Sequence, residues 1–195
     1  KNLNNLIFNK KIWCASSTHQ GEEEICLKIH QKLTKKFKDL ILIIIPRHTY
    51  RINDITKDLL KYNMQFHLHS NKGPIQKNVN VYLVDTYGET NIFFSICKNI
   101  FLGKSITTDG GQNPLEPARH NCTIIHGPNV SNFTEIYNYL DKLKISFKVN
   151  NEIQLTNKLY TLIKKGKKTI KISSKINKIG DKVLKKNLNE IESFL

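Results

Sequence analysis

Leu40-Ile41-Leu42-Ile43-Ile44-Ile45-Pro46 is the longest strongly apolar run in the chain. Polar and apolar residues do not alternate in it, so as a strand it would be covered on both faces. It is too short to cross a bilayer. The reading that fits is a buried strand of a parallel sheet, stopped by Pro46.

Outward from this run the chain alternates short β-like segments with longer helical ones. Upstream, 12–17 reads as a strand, Thr18-His19-Gln20-Gly21 as a polar loop, and 22–37 as a helix with Ile25, Ile29 and Leu33 on one face. Downstream, helices are expected over 52–62, 89–97, 133–143 and 152–163, with a short one ending near Arg119. Strands are expected over 64–69, 79–84, 100–103, 122–125 and 146–149. This alternation predicts an α/β fold: a Rossmann-like parallel sheet with helices on both faces. Residues 1–10 read as a linker remnant and 11–165 as the Rossmann-like domain. Residues 166–195 read as a basic segment followed by an amphipathic helix over 173–195.

Composition narrows the class. The chain has 195 residues, 39% of them hydrophobic, enough for a packed core and too many for a disordered chain. The start Lys1-Asn2-Leu3-Asn4-Asn5 lacks the apolar region of a signal peptide. Net charge is +15, which favours an anionic partner. The densest basic stretch, Lys164-Lys165-Gly166-Lys167-Lys168, has no interleaved aromatics, so membrane contact fits it better than nucleic acid. Cys14, Cys26, Cys97 and Cys122 form no CxxC pair and sit in apolar or helical patterns, as buried free thiols do.

In an open parallel sheet, ligands bind outside the carboxyl ends of the strands. The polar turns of this chain fall there. Thr18-His19 with Gly21-Glu22-Glu23 follows the first strand, Pro46-Arg47-His48 the second, and Asp85-Thr86-Tyr87-Gly88-Glu89 the fourth. Gly110-Gly111-Gln112-Asn113-Pro114-Leu115-Glu116 follows the fifth, and Gly127-Pro128-Asn129 the sixth. Arg47 offers a fixed fork of donors for a phosphate, or an ion pair with Asp54. Gly88 lets backbone groups face a planar base. The glycine pair feeds a helix start where Asn113 can cap and Pro114 suits the first turn, an arrangement that favours phosphate. Glu116 can accept two hydrogen bonds from a ribose diol, or close a capping box. Glu22 has a helix-dipole role as its alternative. His19 and His48 can donate to phosphate or move a proton. No GxGxxG or GxxxxGK[ST] motif occurs, which disfavours NAD and P-loop chemistry.

Taken in order, 15–24, 46–48, 85–89, 110–118 and 127–133 resemble the C-terminal half of the bacterial 3-deoxy-D-manno-octulosonic acid (Kdo) transferases, over about residues 11–165. The resemblance implies one half of a GT-B glycosyltransferase, with CMP-Kdo as donor, a lipid A precursor as acceptor, and no metal or cofactor. It implies the cytoplasmic face of the inner membrane and its anionic surface. On this resemblance Arg47 holds the CMP phosphate, and Tyr87, Gly88 and Glu89 form the cytosine-reading turn. Gly110, Gly111 and Asn113 line the phosphate loop, Glu116 takes the ribose, and Thr18, His19, Glu22 and His48 stand nearby. The resemblance also implies a catalytic base in an N-terminal domain, so these residues alone are expected to bind CMP without transferring sugar. Tyr87 stands where Met is expected and Gln112 where His is common. The alternatives are a GT-B domain for a UDP-sugar and a noncatalytic basic module for anionic surfaces.

Overall fold

A computed structural model describes residues 2–166. Seven strands form one sheet: β1 (Lys11–Thr18), β2 (Leu40–Pro46), β3 (Phe66–Leu68), β4 (Val81–Leu83), β5 (Asn99–Leu102), β6 (Thr123–His126) and β7 (Ser146–Lys148). Their order across the sheet is β3-β4-β2-β1-β5-β6-β7, and each recorded pairing is parallel. β2 is buried at all of its positions, as its unbroken apolar composition demands.

Seven helices cover the two faces: α1 (Asn2–Ile7), α2 (Glu22–Thr34), α3 (Ile52–Lys61), α4 (Thr90–Ile96), α5 (Leu115–Arg119), α6 (Thr134–Lys142) and α7 (Glu152–Lys165). Alternate residues of each strand point to opposite faces. Trp13, Leu42, Ile44, Val81 and Phe101 pack against Leu27 and Leu33 of α2, Leu59 of α3 and Leu159 of α7. Cys14, Ile41, Ile43, Tyr82 and Ile100 pack against Leu6 of α1 and Phe93 and Phe94 of α4. Leu102 and Ile124 meet Ala118 of α5 and Leu140 of α6. All four cysteines are buried and free.

The strands and helices expected within the described residues form, with ends moved by a few residues. The largest shortening is in β3 and β4, each three residues long. The expected linker over 1–10 is instead helical over Asn2–Ile7, because Leu6 finds a buried place against the α4 face. The expected helix over 173–195, and the basic segment from 167, lie outside the described residues.

Candidate functional site

The chain turns back on itself at β1. Strands β2, β3 and β4 lie to one side and β5, β6 and β7 to the other, so the crevice outside the ends of β1 and β5 is the topological switch point. All the turns named above leave carboxyl ends, so they share one edge. They are also bonded to one another. Arg47 N donates to Thr18 O at 3.0 Å, and Thr49 N to the Tyr87 hydroxyl at 3.2 Å. The His19 and His48 rings meet edge to face at 5.8 Å. Thr107 Oγ1 donates to Gln20 O, Gly111 N to Lys104 O, and Asn132 N to Gly110 O.

The floor of the crevice is a carboxylate. Glu22 is fully buried and accepts four backbone N–H groups: His19 (2.9 Å) and Lys104 (2.7 Å) on Oε2, Ser105 (2.9 Å) and Ile106 (3.0 Å) on Oε1. An amide cradle of this kind would suit an anionic ligand. Here the chain's own side chain fills it, so Glu22 holds the 103–106 turn in place and has no oxygen left for a substrate. Ser105 passes the order on: its hydroxyl accepts Gly127 N, and its carbonyl accepts Asn129 N.

The β2–β4 side carries the free polar groups. Arg47 is exposed, and Asp54, its possible partner, pairs with Lys57. Arg51 is the arginine that is tied up, with two bonds to Glu23 at 2.8 and 2.9 Å. Tyr87 is 67% exposed and Gly88 has φ 85°. The Thr49 contacts pull the Tyr87 phenol below its usual range, with Arg47 adding to the effect. Behind this turn, Glu89 accepts from Thr86 Oγ1 and lies 2.9 Å from His69 Nε2, and Asp85 accepts Ser70 N at 2.8 Å. The Thr86 and His69 contacts hold the Glu89 carboxyl below its ordinary value. Glu89 therefore braces the turn that Tyr87 and Gly88 present. Burial holds His19 below the usual histidine value. His48 stacks on Tyr50 at 5.4 Å, and the Thr18 hydroxyl is buried without a partner among the described residues.

The β5–β6 side offers backbone. Gly110 and Gly111 have φ 114° and 69°, in the region glycine favours. Their amides are taken up by the chain itself: Gly111 N donates to Lys104 O, and Gly110 N to the carboxylate of exposed Asp109, lowering its pKa together with Ser131. Among the described residues the Gln112 and Asn113 amides donate to no protein group, so these are the N–H groups open to a ligand. Asn113 Oδ1 accepts Leu115 N at 3.0 Å, and Tyr137 holds Gln112 O at 2.9 Å. Glu116 is half-buried and makes no capping bond. With five residues, α5 supplies only a small dipole. Lys104, which the sequence reading did not place in the site, adds a positive charge here: its Nζ and Asn132 Nδ2, from the turn after β6, flank Gly110. The signal was present in Gly103-Lys104-Ser105, a polar turn directly after an apolar strand.

No protein-family model matches the chain. A 3-deoxy-D-manno-octulosonic acid transferase of Haemophilus influenzae is 32% identical over 96% of this chain and 43% of its own length. One of Rickettsia conorii is 31% identical over 96% of this chain and 41% of its own length. The chain belongs to the Kdo transferase family. It spans about two fifths of the length of these relatives. The crystal structure of the C-terminal CMP-Kdo binding domain of WaaA from Acinetobacter baumannii overlays with a TM-score of 0.80. That match has 24% identity and covers 89% of this chain and 90% of that domain, so the GT-B Rossmann-like fold is shared almost end to end. Among the described residues, no three His, Cys, Asp or Glu side chains group around a possible metal position, and no helix is long and apolar enough to cross a membrane.

Proposed function

We propose that this chain is the donor-binding domain of a Kdo transferase, which moves Kdo from CMP-Kdo to a lipid A precursor in lipopolysaccharide synthesis. One observation carries the reading. Arg47 and the Tyr87-Gly88 turn are bonded to Thr18 and Thr49, the Gly110–Glu116 loop to Lys104, and Glu22 joins the two groups on one edge of a sheet whose fold the CMP-Kdo binding domain of WaaA shares. In this reading the Tyr87-Gly88 turn takes the cytosine edge, Glu116 the ribose hydroxyls, and Arg47 with Lys104 the phosphate. Asn113 and Gln112 contribute amide donors.

The chemistry follows from charge. An acceptor hydroxyl displaces CMP from the anomeric carbon with inversion. Negative charge then grows on the leaving phosphate, and the guanidinium, the Lys104 ammonium and the open amides would meet it. Glu22 is committed to backbone amides and would not serve as the base; in this reading the base comes from the N-terminal domain that the family resemblance implies. His19 and His48 stand nearest the Arg47 side and would orient the donor. The +15 charge would hold the domain against the anionic face of the bacterial inner membrane, on the cytoplasmic side.

Titration of the isotope-labelled chain with CMP and UMP tests the proposal by NMR. Shifts should cluster at Arg47, 87–89 and 110–116, and CMP should bind more tightly than UMP. A response spread evenly over the surface, or equal affinity for the two nucleotides, would refute it.

A further inference from the structure

A second hollow lies at the opposite edge of the sheet. Its volume is about 380 Å3, and it opens among the amino ends of β1, β2 and β4 and the carboxyl end of α2. Four lysines line it, Lys10, Lys35, Lys38 and Lys77, together with Gln31, Thr34, Asn78 and Asn80. No carboxylate is among the lining residues. The nearest in sequence, Asp39, is engaged by Lys11 at 3.1 Å.

Like charges gathered around one hollow raise its potential and favour a counter-ion. The α2 carboxyl end accounts for Lys35, which complements the helix dipole. It does not account for Lys10 and Lys77, which arrive from separate segments. Among the described residues none of the four lysines has an ion-pair partner. Gln31, Thr34, Asn78 and Asn80 add polar groups to the wall between the lysines.

We propose that this amino-edge cavity binds a small phosphate-bearing ligand, separately from the nucleotide edge. The lysines take the phosphate. The volume suits a small molecule. Because the strands are parallel, the two edges are at opposite ends of the sheet, and both can be occupied at once. The inference does not depend on what binds at the carboxyl edge.

Glycerol phosphate, titrated into the labelled 195-residue chain at constant ionic strength, is the first probe. The second is capture by phosphatidylglycerol vesicles, with phosphatidylcholine vesicles as control. The expected result is saturable shifts over 34–41 and 77–81, with 85–89 and 110–116 unmoved. The Lys35→Gln/Lys38→Gln variant should bind about tenfold more weakly and retain its CMP response. Capture by phosphatidylglycerol alone, with the same lysine dependence, would identify the phosphate source as a lipid headgroup. Saturation by free glycerol phosphate would identify a soluble ligand. Lys77→Gln, on another segment, repeats the test should the double variant disturb α2. Linear shifts reproduced by sodium chloride, or responses in both arms that ignore these substitutions, would overturn the proposal.

Discussion

The two arms of the carboxyl edge are built from different materials. On the β2–β4 arm the working groups are exposed side chains on a turn with room around it: a Cβ added to Gly88 meets nothing within 4 Å. On the β5–β6 arm the chain is packed backbone against backbone. A Cβ on Gly127 would sit 1.9 Å from Ser105 O, and the turn it touches is held by the buried Glu22. The first arm can change chemistry without disturbing the fold. The second joins the proposed phosphate loop to stability, because the backbone of that loop is bonded to the turn that Glu22 holds.

Substitutions that cross this divide should separate stability from affinity. The largest effect is expected for Gly127→Ala. A rigid carbonyl cannot yield the space, so unfolding free energy should fall by about 3 kcal/mol or more, read by urea denaturation. Glu22→Gln comes next. Its amide group would turn an N–H toward two backbone donors, at a cost of about 3 kcal/mol. Retention of full stability by this variant would show that the carboxylate cradle does not hold the 103–106 turn.

Acid probes the buried framework. Burial lowers the His30 pKa to about 4. The unfolded chain, near 6.5, therefore binds more protons between these values. Stability from this group is complete above pH 6.5 and is lost as pH falls toward 4, by up to about 3 kcal/mol. Burial of His126 on the β5–β6 arm acts in the same direction. Trp13 donates to His30 Nδ1 at 3.3 Å, so unfolding followed by the fluorescence of this single tryptophan reports the loss directly.

On the open arm, Arg47→Ala should leave denaturation unchanged and weaken CMP binding by about 2–3 kcal/mol. Unchanged CMP affinity would remove Arg47 from the site. The smallest effect belongs to Gly88→Ala. Space is free, but φ 85° strains a Cβ-bearing residue, so a loss of about 1 kcal/mol is expected, with CMP affinity reduced through the altered turn.

Much of this was legible in the linear chain, for physical reasons. The period of apolar residues is set by which faces are buried, so β2 and the amphipathic helices announced themselves, as did the edge at which the polar turns gather. The glycine loop was found by its composition, but the direction of its amides was not. Gly110 and Gly111 commit their N–H groups to Asp109 and Lys104, and open donors lie one and two positions beyond them. Arg47 and Arg51 are equivalent on paper. Only the placement of Glu23 separates the free one from the paired one.

Local pattern alone established a parallel α/β sheet and the turns that border its ligand edge, since periodicity and turn chemistry are properties of neighbouring residues. Tertiary structure decided which groups are spent and which are available. Glu22 meets Lys104, Ser105 and Ile106 across 82 to 84 residues of chain, and hydrogen-bond partners that far apart are chosen by packing, which no local pattern records.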